Sequence, residues 1–253
     1  KMKKNILLIA LFAASLTACT RYFIAKPVQL RLIAVSDTAS APSGALSQQI
    51  AAYLQPYRDS LETNMNTVLV KSPRRLSKGV PESELGNLMA DILREMGQER
   101  LGKPVDVAIT NNGGIRTDFP AGNITLGNVY EVMPFDNELV AITLTGETMQ
   151  KVIEYLAQRK EPQSGVKLVI DKATNKPLEA TIGGKPLDLK QTYTLITSDY
   201  MAVSSDMAAI VKNNQSFQIL RYLMRDAIAD YLRRKGQHNQ YHNPTKAGRT
   251  IVK

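Results

Sequence analysis

The sequence predicts a single α/β domain with a partly antiparallel sheet. In some segments apolar residues recur at helical spacing, while in others continuous or alternating apolar runs mark strands. The two kinds of segment are interspersed without a strict βαβ repeat, which favours mixed strand directions. The apolar fraction of 43% is ordinary for a globular protein. The chain is therefore long enough and apolar enough to form one sizeable core or two small ones.

The first half of the chain contains two amphipathic helices. Four apolar residues recur at helical spacing in the first helix, namely Ile50, Leu54, Tyr57 and Leu61. Pro56 should bend or split this helix, because proline removes a backbone donor. The second helix covers 82–96, and Ser83 is placed to cap its start. Strands are predicted over 28–35, 66–71 and 105–110, and a short helix over 126–133.

The second half of the chain is richer in strands. A helix is predicted over 146–158, where apolar residues share one face. A long closing helix is predicted over 217–234. The pair Gly183-Gly184 indicates a hairpin turn. Strands are predicted over 139–144, 166–171, 178–182, 193–198 and 249–252.

The N-terminus has the pattern of a lipoprotein signal peptide. Three lysines precede an apolar stretch over 6–16 that is too short to span a bilayer comfortably. Leu16-Thr17-Ala18-Cys19 then resembles a lipobox. We expect a signal peptide at 1–18, a lipidated Cys19 with a tether and short strand over 19–43, and the folded domain over 44–253. An ordinary signal peptide followed by an accidental cysteine is the alternative.

This N-terminus predicts a location in the cell envelope, facing the periplasm or the cell surface. Thr20 stands where an aspartate commonly retains lipoproteins at the inner membrane, so the outer membrane is favoured. Contact with the membrane is expected through the lipid anchor only. Cys19 is the one cysteine of the chain, which excludes an internal disulfide and a cysteine-based metal site.

The charge pattern argues against nucleic-acid binding. Loss of three lysines with the signal peptide leaves +6 of the formal +9. The remaining basic residues are scattered, apart from a short cluster at 233–235. Nucleic-acid binding needs a basic face with interleaved aromatic residues. The charge therefore predicts no more than a mild attraction to anionic ligands.

The segment 111–116, here called the 111–116 loop, is the strongest candidate binding element. It reads NNGGIR and leaves the end of a buried strand, where ligands of α/β proteins commonly bind. Its two glycines let the backbone turn sharply and approach a ligand closely. Asn111 offers amide groups, and Arg116 offers a planar fork for phosphate or carboxylate. The alternative is a tight turn with an exposed arginine.

Two further segments carry aromatic and acidic side chains at turns. Phe135 stands between Pro134 and two turn-forming residues, and it could stack on a flat ring or plug the edge of a core. Tyr200 and Asp206 follow another predicted buried strand. Tyr200 offers a stacking face, and Asp206 offers a carboxylate for sugar hydroxyl groups. Each of these residues also has a purely structural interpretation.

Taken together, four ordered blocks resemble the C-terminal domain of the 5′-nucleotidase family. These blocks read ESELGNLMAD at 82–91, NNGGIR at 111–116, FPAGNIT at 119–125 and MPFDN at 133–137. The family's usual wording is ExNLGNLxxD, NGGGIR, PAGxIT and PFGN. The order and spacing agree, and the resemblance extends from residue 69 to the C-terminus.

The resemblance implies a four-layer α/β/β/α sandwich that binds a nucleotide or nucleoside without cleaving it. Carried over position by position, Asn111 and Arg116 would contact the phosphate end of the ligand. Phe135 and Tyr200 would sandwich the base, with tyrosine replacing the family's usual phenylalanine. Asp206 would hold the ribose.

The chain departs from the family pattern at three places. Gly79 and Pro81 stand where the family usually has phosphate-facing arginines, although three basic residues lie nearby, at Arg74, Arg75 and Lys78. Val203-Ser204-Ser205-Asp206 replaces NGGD, which loses two glycines beside the ligand. Asp136 replaces a glycine, and its carboxylate would repel a phosphate or face water.

No catalytic residue, metal site or cofactor is expected in this chain. Family members that hydrolyse nucleotides carry a metallophosphoesterase domain whose two metal ions need several His and Asp ligands. This chain has only His238 and His242, in a polar tail where a helix is not expected. No GxSxG nucleophile turn is present. Divalent metals are therefore expected only in a partner metallophosphoesterase.

Three functional hypotheses follow. The leading one is a nucleotide-binding domain that acts with a separately encoded metallophosphoesterase in nucleotide catabolism. The second is a lipoprotein that binds nucleosides or nucleotides without turnover. The third is a degenerate domain kept as a structural module. Catalysis by this chain alone is not expected.

Overall fold

The computed structural model describes residues 45–238 and 244–253. The predicted signal peptide at 1–18, Cys19, the tether at 19–43 with its strand at 28–35, and His242 lie outside the described residues. All structural statements below refer to the described part of the chain.

Helices and strands are mixed along the described chain. The helices are α1 (Ala45–Met65), α2 (Glu84–Leu101), α3 (Leu126–Val132), α4 (Gly146–Arg159), α5 (Asp199–Val203), α6 (Ala208–Val211) and α7 (Met224–Gln237). The strands are β1 (Val68–Ser72), β2 (Val107–Ile109), β3 (Gly122–Thr125), β4 (Glu138–Thr145), β5 (Gln163–Ser164), β6 (Val166–Ile170), β7 (Pro177–Ile182), β8 (Lys185–Pro186), β9 (Thr192–Ser198), β10 (Ser216–Leu223) and β11 (Thr250–Val252).

The strands form three sheets with mixed directions. A five-stranded sheet has the order β10-β4-β9-β2-β5, and a four-stranded sheet has the order β11-β6-β7-β8. Strands β1 and β3 form a separate antiparallel pair. Within the larger sheets, β2 is parallel to β9 and β11 is parallel to β6, while the other pairs are antiparallel. The predicted mixed sheets are therefore confirmed.

Two hydrophobic cores lie on opposite faces of the five-stranded sheet. Because successive strand residues point to opposite faces, Ala108 and Ile196 join the first core while Val107 and Leu195 join the second. Helices α2 and α7 cover the first core, and α4 packs with residues of the four-stranded sheet in the second. A Cβ atom at Gly97 of α2 would lie 2.9 Å from Ile196 Cγ1, so this helix lies close on the sheet. The layered α/β class predicted from the sequence is thus confirmed.

The two long N-terminal helices differ in how they match the predictions. The Ser83 hydroxyl accepts a hydrogen bond of 3.0 Å from the Gly86 N–H, which confirms the predicted cap of α2. Helix α1 runs through Pro56, so the prediction that Pro56 splits it is wrong. The residues around Pro56 are exposed, and water can therefore satisfy the carbonyl group that proline leaves without a donor. Within the described ranges, no helix combines the length and the apolar character that a membrane span requires.

The long closing helix predicted over 217–234 is wrong in its first half. Residues 216–223 form β10, whose first residues pair with β4 from Thr143 to Val140. Arg221 has a positive φ of 49°, and the register shifts between Ile219 and Leu223. This irregularity turns the chain from the sheet edge into α7. Apolar residues keep a helical spacing from β10 into α7, so the spacing alone does not mark where the helix begins. The pairing of β10 with β4 sets that boundary.

Candidate functional site

A crevice opens where two parallel strands end. Strands β2 and β9 are neighbours, with Val107 opposite Leu195 and Ala108 opposite Ile196. After β2 the chain enters the first core through the fully buried Ile115, whereas after β9 it enters the second core. Adjacent parallel strands whose connections leave to opposite faces create the crevice in which α/β proteins commonly bind ligands.

The 111–116 loop forms one side of this crevice. The Gly114 N–H donates to the Asn111 carbonyl oxygen at 3.0 Å, which closes a tight turn. A Cβ atom at position 114 would lie 2.7 Å from Asn111 Oδ1, so only glycine leaves space for that amide. The Arg116 N–H donates to the Val132 carbonyl oxygen at 2.9 Å. The loop is therefore a defined turn that is tied to the segment carrying Phe135.

Four of the five predicted binding residues line one cleft. The cleft has a volume of about 350 Å³ and is lined by Asn111, Gly113, Gly114, Arg116, Phe135, Asn137 and Tyr200. Phe135 is 39% exposed and Tyr200 is 46% exposed, so both rings have surface available for a ligand. A cleft with aromatic surfaces and a few polar groups is suited to a flat, partly polar molecule.

Arg116 stands at the exposed end of this cleft. Its Nη1 donates to the Gly113 carbonyl oxygen at 3.2 Å. Its guanidinium carbon lies 5.9 Å from the centroid of the Phe135 ring, within the range of a cation–π contact. Arg116 therefore links the loop to the aromatic ring and leaves other guanidinium N–H groups for an anionic group.

Asp206 lies beside the cleft and not in it. It lines an adjoining space of about 240 Å³, here called the polar pocket, together with Asn111, Tyr155, Arg159, Glu161, Tyr200, Met201, Ser204 and Ser205. Asn111 and Tyr200 line both spaces. The Asp206 carboxylate forms an ion pair with the Arg159 guanidinium. Burial raises the pKa of the Tyr155 hydroxyl in this pocket, and the charge of Glu161 adds to the effect.

The Asp136 side chain faces water and also has a charged partner. Its side chain is 78% exposed, and Oδ1 accepts a hydrogen bond of 2.6 Å from Arg225 Nη2. Arg225 is only 12% exposed, and its guanidinium carbon lies 4.3 Å from the centroid of the Tyr130 ring. The neighbouring Met224 N–H donates to the Asn137 carbonyl oxygen at 2.8 Å. The start of α7 therefore holds the segment around Phe135.

The outer side of the 111–116 loop contacts residues that the sequence analysis did not identify. The Asn112 N–H donates to Glu161 Oε2 at 2.6 Å, and Asn112 Nδ2 donates to the same oxygen at 2.9 Å. Burial raises the pKa of Glu161, although the two hydrogen bonds from Asn112 and the charge of Arg159 lower it in part. Glu161 follows α4 and belongs to no sequence motif, so this contact could not be predicted from local patterns.

The basic residues ahead of α2 are engaged behind the cleft. Lys78 Nζ donates to the Ile115 carbonyl oxygen at 2.6 Å. Arg75 pairs with Asp118 at 2.9 Å, and Arg74 pairs with Glu84. None of these three basic residues lines the cleft. They do not replace the arginines that the family usually has at positions 79 and 81.

A dinuclear metal centre does not fit the described residues. Across 45–238 and 244–253, no three or more His, Cys, Asp and Glu side chains are grouped so that they could hold a metal ion. His238 lies at the C-terminal end of α7. The cleft itself is lined by amides, aromatic rings and one guanidinium group, which suit binding and orientation of a ligand.

Three known proteins illustrate what this chain is similar to. The trifunctional nucleotide phosphoesterase YfkN of Bacillus subtilis is 29% identical over 61% of this chain and 12% of its own length. The cell wall protein Lmo0130 of Listeria monocytogenes is 33% identical over 49% of this chain and 18% of its own length. The crystal structure of a 5′-nucleotidase precursor from Thermus thermophilus superimposes with a TM-score of 0.67 and 26% identity, covering 81% of this chain and 42% of that protein.

The chain thus spans less than half the length of each of these relatives. The family model described as the 5′-nucleotidase C-terminal domain matches residues 62–213, which is more than half of the chain. The matched range contains the 111–116 loop, Phe135, Tyr200 and Asp206. On this evidence the chain belongs to the 5′-nucleotidase family, through its C-terminal domain.

Proposed function

We propose that this chain is the nucleotide-binding domain of a 5′-nucleotidase-like phosphohydrolase and that a separately encoded metallophosphoesterase supplies the hydrolysis. The observation that carries the proposal is the cleft in which Phe135 and Tyr200 lie with Asn111 and Arg116 at the ends of β2 and β9. Phe135 and Tyr200 bind the base, and Asn111 and Arg116 contact the phosphate end. Asp206 contacts the ribose from the polar pocket.

Calorimetric titration of the purified chain tests the binding part of this proposal. AMP, adenosine and UDP-glucose serve as ligands. Phe135→Ala and Tyr200→Ala should each weaken binding by about 1–3 kcal/mol, the usual contribution of an aromatic ring that stacks on a base. Phe217→Ala is the matched control, because Phe217 is 40% exposed and lies outside the cleft. Binding that neither cleft variant weakens would contradict the assignment.

A reconstitution assay tests the partner. The chain is mixed with a candidate metallophosphoesterase that is encoded separately, and release of phosphate from AMP is measured. The mixture should be more active than the metallophosphoesterase alone, and Tyr200→Ala should remove the gain. Equal activity with and without this chain would refute the two-protein enzyme while leaving the binding result intact.

Binding without turnover is the second candidate function. Arg116 and Asp206 already have partners within the chain, the Gly113 carbonyl oxygen and Arg159. The aromatic rings would then provide most of the affinity, and adenosine should bind as tightly as AMP. A preference of tenfold or more for AMP, about 1.4 kcal/mol, would favour the phosphohydrolase instead.

The degenerate-domain alternative predicts that no nucleotide binds. A ligand present at a hundred times its dissociation constant should raise the free energy of unfolding by about 2.7 kcal/mol. A thermal-shift screen that shows no change with any nucleotide or nucleoside would therefore support a structural module. No cofactor is proposed for this chain, and divalent metals are proposed only for the partner.

The proposed location is the cell envelope, with a lipid on Cys19 and the outer membrane favoured over the inner membrane. The name of Lmo0130 as a cell wall protein supports an envelope location. Metabolic labelling with an alkyne fatty acid tests the anchor, since Cys19→Ser should abolish the label. Fractionation of the membranes then distinguishes the two locations.

A further inference from the structure

The segment that follows α4 holds the 111–116 loop from its outer side. The Thr110 N–H donates to the Pro162 carbonyl oxygen at 3.0 Å. Asn112 donates two hydrogen bonds to Glu161 Oε2, at 2.6 and 2.9 Å, and a third from Nδ2 to the Lys160 carbonyl oxygen at 3.0 Å. Four hydrogen bonds therefore join residues 110–112 to residues 160–162 beside the cleft.

Lys160 has a backbone conformation that suits this contact. Its φ is 54° and its ψ is 41°, a left-handed conformation that ends α4. Such a conformation is uncommon for a residue other than glycine. It turns the chain so that both the Lys160 carbonyl group and the Glu161 carboxylate reach Asn112.

A carboxylate is a costly choice for this position if its role is only structural. Glu161 is half-buried, and burial raises its pKa, so the charged form is less favourable there than in water. No ion pair to Glu161 is formed within the described ranges. A glutamine of the same shape would accept the same backbone hydrogen bond without the cost of desolvating a charge.

The loop geometry explains what the carboxylate provides. The Asn111 amide lies over Gly114. The residue after Asn111 is Asn112, which donates its N–H to Glu161. A charged acceptor makes a stronger and shorter hydrogen bond than a neutral one. Tilting Asn112 would therefore change where the Asn111 amide and the Gly113 N–H point.

We propose that Glu161 is a positioning residue, whose carboxylate fixes the 111–116 loop in the shape that presents the Asn111 amide and the Gly113 N–H to the ligand. This proposal rests on the proposed function for its ligand, an adenine nucleotide in the cleft. Glu161 itself lines the polar pocket and not the cleft. Its effect on the part of the ligand in the cleft is therefore indirect, through Asn112.

Protonation of Glu161 should weaken the contact and thereby ligand binding. Because burial raises the pKa of Glu161, this change occurs at a higher pH than for an exposed glutamate. The carboxylate also faces other titratable groups, whose charges contribute to the pH profile. These groups are Tyr155, Arg159, Tyr200 and Asp206, which line the polar pocket, and Glu82, which lines a separate small pocket together with Glu161.

The experiment compares the full chain with Glu161→Gln, Glu161→Ala and the control Glu154→Gln. Glu154 lies on the exposed side of α4, so the control makes the same charge change away from the loop. The first measurement is the NMR shift of the Asn112, Gly113 and Gly114 amide protons against pH, without ligand. The second is the dissociation constant of AMP against pH, by calorimetry. The third is urea unfolding.

The proposal makes opposite predictions for stability and for binding. Glu161→Gln should unfold at the same or a higher urea concentration, yet it should bind AMP about threefold to tenfold more weakly at neutral pH. Its loop amide shifts and its AMP affinity should lose the acid transition seen in the unaltered protein. Glu161→Ala should bind AMP more weakly still, and Glu154→Gln should match the unaltered protein.

Two results would overturn the positioning role. One is an absence of any Glu161-dependent acid transition in the loop amide shifts. The other is a Glu161→Ala variant that binds AMP with unchanged affinity. If the unaltered protein binds no nucleotide, the proposed function fails. The amide shifts still decide whether Glu161 determines the conformation of the 111–116 loop.

Discussion

The two sides of the cleft are built in different ways. The side formed by the 111–116 loop and Phe135 is anchored by the buried Ile115. It is held by hydrogen bonds that Asn112 donates to Glu161 and by one that the Met224 N–H, at the start of α7, donates to Asn137. The side that carries Tyr200 is the short helix α5. Its cap is Ser198, whose hydroxyl accepts from the Met201 N–H at 3.1 Å.

This difference indicates a division of roles between the two sides. Groups held by hydrogen bonds from remote segments are preorganised, so a ligand meets them without an ordering cost. We therefore expect the loop side to fix the orientation of a ligand. The α5 side offers apolar area, since Tyr200 is 46% exposed while Met201 of the same helix is fully buried. Three predictions test this comparison, in order of decreasing effect.

The largest effects should come from the buried anchors of the two sides. Ile115→Ala and Met201→Ala should each lower the free energy of unfolding by about 2–5 kcal/mol, because each leaves a cavity in a core. Urea denaturation measures this loss. Val203→Ala is the control and should change stability by less than about 0.5 kcal/mol. A Met201→Ala variant as stable as the control would show that α5 is not anchored through this residue.

An intermediate effect is expected at the contact between α7 and the segment around Phe135. Arg225→Met keeps the apolar stem but loses the stack on Tyr130 and the bond to Asp136. It should cost about 1–2 kcal/mol. Asp136→Ala should cost at most about 1 kcal/mol, since the carboxylate is exposed. Equal losses in the two variants would assign the contact to the ion pair and not to the aromatic stack.

The smallest effect is expected at Asp118, which lies behind the 111–116 loop, and it should depend on pH. Asp118 accepts hydrogen bonds from the Lys78 N–H and from Arg75. Burial alone would raise the pKa of Asp118, but these bonds and the charge of Arg75 hold it below its usual 3.8. A lowered carboxyl pKa contributes stability above the unfolded pKa and loses it as the pH falls through the folded pKa.

Asp118→Asn should therefore melt at a lower temperature than the unaltered protein at neutral pH. The difference should shrink as the pH falls through the lowered pKa of Asp118, below 3.8. Thermal melts at several pH values provide the measurement. A difference that persists at the acid end would show that the hydrogen bonds, and not the charge, are responsible.

Local patterns predicted most of the elements and much of one side of the cleft. The buried strand before Asn111, the pair Gly113-Gly114 and the cap at Ser83 all depend on residues that are near in sequence. Local patterns also pointed to Phe135, Tyr200 and Asp206 but left a structural interpretation open for each, and the resemblance to the nucleotidase family favoured the binding roles. Which of these residues share a cleft required the three-dimensional arrangement, since Asp206 lies in the adjoining polar pocket.

The missed features depend on contacts between distant residues. Strand β10 has helical spacing, and only its pairing with β4 makes it a strand. Arg225 is 89 positions from Asp136, and Glu161 is 49 positions from Asn112. Neither side chain belongs to a motif. Their roles arise from packing that a single sequence does not reveal.

Tyr200 also offers an optical way to observe the cleft. The chain contains ten tyrosines and no tryptophan, so tyrosine emission cannot isolate this position. Tyr200→Trp would introduce the only indole of the protein at the partition between the cleft and the polar pocket. Its fluorescence would report ligand entry from one site and would allow stopped-flow measurement of association and release rates.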